Sequence, residues 1–235
     1  ETYMKKANIG SYLSIKEILE VKDSLRTSRN FRNYIFDIDN IETDYKITYN
    51  LADSLNSLKY LEKKIDKIIV SEDEIADSAS SKLNNIRKEI RKNNSAIRSK
   101  LDSIINNQNT QKYLQDNVIT IRNNRFVVPV KSSYKNKIKG IVHDRSSSGV
   151  TLYIEPNSVI KQNNKIKELK IDEKKEIERI LYELTADISE VSNELLNNQD
   201  ILTNIDFILA KTNLSIKMDG VKPLINTDRY INIKN

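Results

Sequence analysis

The chain has no cysteine and no tryptophan, one histidine, three prolines and four glycines in 235 residues. Without cysteine there are no disulfides and no thiolate metal ligands, which suits a cytoplasmic protein. So few glycines and prolines cannot supply the turns of a multi-stranded sandwich or barrel. Long hydrophobic runs are missing too: none approaches the roughly 20 residues that span a bilayer. The opening residues, Glu1 to Lys6, lack the charged-then-apolar order of a signal peptide. A soluble, cytoplasmic protein with no membrane partner is expected. Glu1 as a first residue, and a strand-like run stopping at Asn235, predict a piece of a longer chain.

Charge, by contrast, is plentiful. Charged residues make up 31% and apolar ones 38%, with a net charge of +6. That balance fits an elongated helical protein with narrow apolar stripes and much solvated face. The positive charge is concentrated in two places. Between Val118 and Val150, Arg122, Arg125, Lys131, Lys135, Lys137, Lys139 and Arg145 face only Asp144. Between Lys82 and Lys100, seven cations face only Glu89, and the rest of the chain is net acidic. Confined basic patches are an electrostatic footprint for a polyanion. For Lys82–Lys100 a merely solvated helical face is the competing reading.

Hydrophobic periodicity places the elements. Ser14 to Glu17 has the form of a capping box, and Ile15, Ile18, Leu19, Val21 and Leu25 predict a helix to about Asn33. After a connection at Asp37–Glu42, a second helix is predicted from about Asp44 to Ile69. Ser71 to Glu74 offers a further cap. A long helix over Glu72–Asn106 follows from Ile75, Ala79, Leu83, Ile86, Ile90, Ile97, Leu101 and Ile104, about 50 Å at 1.5 Å per residue. Its partner starts at Asn157 or Ser158 and runs through Ile160, Ile166, Leu169, Ile180, Leu184 and Ile188. Asn197 and Asn198 mark a bend before Ile201–Leu214. Two long helices flanking one compact module must be antiparallel neighbours.

Inside the module four strands are legible: Ile119–Arg122, Arg125–Val130, Ile138–Asp144 and Val150–Glu155. Asn123 and Asn124 tolerate the positive φ of a tight hairpin. Pro129 places its strand at an edge or near its end. Lys131–Lys137 reads as a loop and Arg145–Gly149 as a turn.

These runs carry a resemblance. Arg125 to Lys131 (RFVVPVK), Gly140 to Asp144 (GIVHD) and Ser146 to Pro156 (SSSGVTLYIEP) look like the MutS-two family, the bacterial MutS paralogue that lacks the mismatch-reading domain. Tyr113 to Asp116, Asn163 to Lys165, Glu173–Leu184, Glu74 to Ser80 and Leu202–Leu209 with Asp206 extend the likeness over nearly the whole chain. The resemblance implies a helical core with an ascending lever at 1–117, a β clamp insertion at 118–156, a descending lever at 157–222 and a lead-in to an ATPase domain at 223–235. It implies a mainly α fold in which two long antiparallel levers carry a small antiparallel β clamp. It further implies a homodimer that grips duplex or branched DNA, or ribosomal RNA, through the backbone. The full-length protein would bind ATP and Mg and carry a nuclease-like domain, in suppressing recombination or rescuing collided ribosomes. None of that chemistry is expected in this stretch, for which no cofactor, metal or catalytic residue is assigned.

The candidate contacts are Lys131, Ser132, Ser133, Lys135 and Lys137 in the tip loop, with Arg122, Arg125, Lys139 and Arg145 beside them. Lys and Arg neutralise phosphates, while hydroxyls and loop amides donate to phosphate oxygens. Ser146–Gly149 reads first as a turn. Other constellations carry less. No G-x-x-x-x-G-K-[ST] phosphate loop is present. His143 and Asp144 are adjacent on a strand and point to opposite faces, so a triad with Ser146 is disfavoured and a structural His143 preferred. Asp37, Asp39, Glu42 and Asp44 lack the glycine and closing glutamate of a calcium loop. Tyr12, Tyr34, Tyr49 and Tyr60 are expected to pack, whereas Tyr134 either anchors the tip loop or lies against a ligand backbone. The alternative to nucleic-acid binding is a coiled-coil tether whose β tip meets a protein or the ribosome.

Overall fold

The computed structural model describes residues 11–220, with Tyr3 and Thr227. Among them the chain is mainly helical, with one two-stranded and one four-stranded antiparallel sheet. It divides into two compact units. One gathers Lys16–Lys64 and the described residues from Asp187 onward; the other holds Ser11–Ile15 and Ile65–Ala186. The region expected to lead into an ATPase, 223–235, lies outside the described residues apart from Thr227.

The first unit begins with α1 (Ile15–Phe36), whose Ile18, Val21, Leu25 and Ile35 are buried at helical spacing. A short α2 (Ile41–Asp44) falls at the expected connection, and the single helix expected over 44–69 is instead two: α3 (Lys46–Asp53) and α4 (Lys59–Ile68). Two local causes act. Tyr45 leaves the helical region at φ −134° and ψ 53°. Farther on, the backbone of Asn56 bonds to the Asn198 side chain rather than along a helix, at 2.8 Å for the N–H and 2.9 Å for the carbonyl. The buried Glu62 of α4 ties back to α1 through Arg29, with contacts of 2.9 and 3.1 Å. Tyr49 packs on Phe36 as expected. Tyr34 and Tyr60 do not pack; they are mostly exposed.

The second unit opens with a small hairpin, β1 (Ile69–Ser71) and β2 (Glu74–Ile75), and a 3₁₀ turn at Asp77–Ala79. The long helix therefore starts later than its apolar spacing predicts. It is α5 (Ser81–Ile105), capped by Ser80, whose hydroxyl accepts from the Leu83 N–H at 2.9 Å. Ile75 is buried by the hairpin, so its place in the helical period is coincidental. After a short α6 (Gln108–Gln111) come the four strands, then α7 (Asn157–Glu190) and α8 (Ser192–Lys217). The break between these last two falls at Val191 (φ −110°, ψ 22°), not at Asn197 and Asn198. Those asparagines lie inside α8 because the backbone around Asn56 claims the Asn198 side chain.

Helices α5 and α7 run antiparallel. Ser80 bonds Glu176 at 2.9 Å, Arg87 bonds Glu173 at 2.6 Å, and Lys100 reaches the Ser158 carbonyl at 2.9 Å. At the sheet end, Ile97, Leu101 and Ile105 of α5 and Val159 and Ile166 of α7 share one core with Val128, Val130, Leu152 and Ile154. Each such side chain contributes on the order of 1.5–3 kcal/mol when fully buried.

Candidate nucleic-acid interface

The module is built from β3 (Thr120–Arg122), β4 (Arg125–Lys131), β5 (Gly140–Arg145) and β6 (Thr151–Pro156), in the order β3-β4-β6-β5. Asn123 and Asn124 have φ of 51° and 60°, the paired left-handed turn that closes a tight hairpin. The β3–β4 hairpin curls back over the sheet, because the Asn123 amide donates to the His143 carbonyl on β5 at 3.0 Å. Pro129 sits on an interior strand rather than an edge. The sheet tolerates it because β3 pairs only as far as Val127. Beyond that point the segment before β3 takes over, Gln115 donating to the Pro129 carbonyl and Lys131 to the Tyr113 carbonyl. A missing N–H on that side interrupts no strand ladder.

One polar cluster organises the curled hairpin. The Glu155 side chain is fully buried on β6. Its carboxylate accepts from Arg125 at 2.9 and 3.0 Å and from Asn163 at 2.7 Å, and His143 Nε2 lies 2.6 Å away. A buried carboxylate needs such partners, since an uncompensated one costs several kcal/mol. Asn163 also brackets Phe126, accepting from its N–H and donating to its carbonyl. His143 is thus structural, as its place on a strand predicts. Glu155 and Asn163 were not singled out in the sequence, although a lone acid inside a β-branched strand is the signal that marks such a partner.

The nine candidate contacts do not form one patch. At one end of the sheet Lys131, on β4, stands opposite Thr151, and Arg145, on β5, opposite Leu152. Ser132 joins them, its N–H donating to the Val150 carbonyl at 2.8 Å. From there Ser132–Lys137 forms a 3₁₀ stretch kinked at Tyr134, not an irregular loop. Ser132, Ser133, Lys135, Lys137 and Arg145 are exposed and Lys131 half-buried. No described carboxylate pairs with any of these cations. Lys131 Nζ reaches only the Lys112 carbonyl, at 3.3 Å. Tyr134 anchors the stretch against Tyr113, with ring centroids 5.2 Å apart, and keeps 38% of its surface open.

Lys139 and Arg125 lie toward the opposite end, and Arg122 lies over the sheet between. Lys139 is exposed beside the start of α7, its carbonyl accepting from Asn157. Arg125 is committed inward to Glu155 and to Asn164 at 2.7 Å. Arg122 lies over the Tyr153 ring at 4.2 Å and pairs with Asp144 at 3.4 Å. Ser146–Gly149 is a turn: the Gly149 N–H bonds the Ser146 carbonyl, the Ser146 hydroxyl accepts from Thr151, and Gly149 has φ 70°.

The Lys82–Lys100 segment is partly neutralised within its own unit. Arg87 pairs with Asp77 and Glu173, Arg91 with Asp77, and Lys82 with Glu176. Arg179, with Ser80 and Lys82, holds the Glu176 carboxyl at about 2, down from 4.5.

No family model matches the chain. Individual proteins do. The endonuclease MutS2 of Alkaliphilus metalliredigens is 49% identical over 233 residues, which cover 99% of this chain and 29% of that protein. That of Clostridioides difficile is 48% identical over 235 residues, covering 100% and 30%. That of Alkaliphilus oremlandii is 46% identical over 233 residues, covering 99% and 29%. Along its whole length the chain is similar to part of MutS2 proteins. It spans about 30% of the length of these relatives. The matched span includes both the helices and the four-stranded sheet. Among the described residues no helix is long and apolar enough to cross a membrane.

Proposed function

We propose that the chain is the core-and-clamp portion of a MutS2-type protein, and that it grips duplex nucleic acid through the backbone without reading bases. The observation that carries this is the end of the four-stranded sheet. Lys131 and Arg145 stand there with exposed Ser132 and Ser133, Lys135 and Lys137 follow along the exposed 3₁₀ stretch that leads away from it, and none of the four pairs with a described carboxylate. A lysine makes a phosphate contact as a point charge and needs no base edge. Lys139 extends the positive surface. Arg122 and Arg125 support it by holding the curled hairpin. In this reading the α5–α7 pair is the lever, the sheet is the clamp, and ATP with Mg binds outside this chain. Homodimer formation, nuclease activity, suppression of recombination and action on collided ribosomes belong to the proposal for the whole protein.

A second reading, the tether, draws on half-exposed Val150 and Ile141 on the same module, which suit a protein contact. Duplex DNA binding measured by fluorescence anisotropy between 50 and 200 mM salt separates the two. The clamp reading expects log affinity to fall linearly with log salt, with a slope near −0.9 per phosphate contacted. It also expects Lys131→Glu, Lys135→Glu and Lys137→Glu together to abolish binding. Affinity indifferent to both salt and the triple change favours the tether. Branched DNA and structured RNA in the same titration identify the preferred duplex.

A further inference from the structure

Helix α7 hides a second basic surface. Its residues Lys165 to Lys175 carry five lysines and three acids, so the composition barely stands out. None of these three acids lines the groove described next, Asp172 being exposed outside its lining. Glu173 turns to Arg87 of α5, and Glu168 pairs with Lys165. Lys167, Lys170, Lys174 and Lys175 instead share a face and line one wall of an open groove of about 670 Å³. The hairpin turn Asn123 to Arg125 forms the other wall, and Ile166 and Ile171 lie between. Glu178 is the one acid lining it, 4.0 Å from Lys174 at the far end. Lys167, Lys170 and Lys175 are exposed and pair with no described carboxylate.

We infer that this groove is a second seat for a nucleic-acid backbone, separate from the end of the sheet that holds Lys131 and Arg145. The inference takes its ligand class from the function proposed above and adds a surface to it. Lys167 to Lys175 spans about 12 Å of helix at 1.5 Å per residue. One strand of a duplex presents a phosphate about every 3.4 Å of axis, so three or four phosphates fit along that row. Lysine heads on flexible stems can follow such a ladder, and the stems cover the apolar floor that Ile171 leaves half open. Asn124 in the opposite wall adds an amide donor for phosphate oxygens. Aromatic side chains are absent from the lining, so it offers no platform for stacked bases.

The test uses the 235-residue chain, a labelled DNA duplex and a salt titration. Lys167→Ala, Lys170→Ala, Lys174→Ala and Lys175→Ala combined replace exposed helix residues with the best helix former, so the fold should survive. Binding should weaken tenfold or more near 0.1 M salt, and the salt slope should shrink by up to about 0.9 per lysine removed. Glu178→Lys, which adds a cation, should tighten binding and steepen the slope. If the alanine variant keeps wild-type affinity and slope while the Lys131, Lys135 and Lys137 variant loses binding, the groove inference fails and the clamp function stands. Loss in the alanine variant with no loss at the tip upholds the groove and relocates the contact. Binding of a labelled poly-glutamate peptide that the alanine variant loses, with duplex binding unchanged in that variant, would overturn the nucleic-acid assignment in favour of an acidic protein partner.

Discussion

At the scale of single residues, charge has two different jobs on one β module. Arg125 neutralises a buried carboxylate, whereas Lys135 faces water. Arg125→Ala leaves Glu155 short of its main partner and should cost roughly 3–5 kcal/mol. Lys135→Ala should leave the melting temperature unchanged and alter only ligand binding. Thermal melts beside binding curves tell the two apart; equal melting temperatures would remove the structural role assigned to Arg125. Gly140 is a steric case: a Cβ there would sit 2.1 Å from the Glu155 carbonyl oxygen. Gly140→Ala should therefore destabilise by about 1–3 kcal/mol, read as a lowered urea midpoint. Glu176 sets an acid limit. Its carboxyl titrates at about 2 when folded, held there by Arg179 first, against 4.5 otherwise. The stabilisation is complete above 4.5 and disappears as pH falls from there toward 2. Glu62 and Asp77 are lowered too, chiefly by Arg29 and Arg87, and act in the same direction. Urea midpoints should drop between pH 6 and pH 3, and Glu176→Gln should show a shallower drop from a lower start. A variant falling as steeply as the wild type would exclude Glu176 as a contributor.

At the scale of elements, Ser80 and Leu101 show how the lever pair is held. Ser80 caps α5 and donates to Glu176 on α7, so Ser80→Ala should cost about 1–2 kcal/mol. Leu101 is fully buried where both helices meet the sheet, and Leu101→Ala should cost about 2–5 kcal/mol. Chemical denaturation monitored by circular dichroism measures both. Much of this level was legible in advance. Most of the apolar positions expected on α5 and α7 are buried, with Ile90, Ile104 and Ile160 only partly so, and the Asn123–Asn124 turn adopts the positive φ its residues allow. The boundaries were less legible. Ile75 continues a helical spacing while lying in a strand, and the helix expected across 44–69 is opened by an asparagine from more than a hundred residues away. Periodicity registers which side chains are apolar; it is blind to a distant amide competing for the backbone.

At the scale of the whole molecule, the distribution of free cations decides what the chain can hold. Two segments look equally basic in sequence, yet inside the second unit Lys82, Arg87 and Arg91 pair with carboxylates, whereas Lys131, Lys135, Lys137 and Arg145 pair with no described one. Binding should accordingly depend on the tip and only weakly on Lys82–Lys100. Arg87→Gln should lower stability more than affinity, because its guanidinium joins Asp77, Glu173 and the Ile75 carbonyl. Comparing melts with duplex titrations of this variant checks the claim; a large affinity loss in a fully stable protein would show that α5 contacts the ligand directly.

The amino-acid order alone determined the mainly helical class, the antiparallel helices around one β module, the tight asparagine hairpin and the resemblance that suggests its kin. Those features depend on neighbours within a turn or a strand, where spacing and local sterics act. Only the tertiary structure decided which cations remain free, that Glu155 draws Arg125 inward, and that the α7 lysines gather along one groove. Charges pair through space, and space is set by packing between segments far apart in the chain.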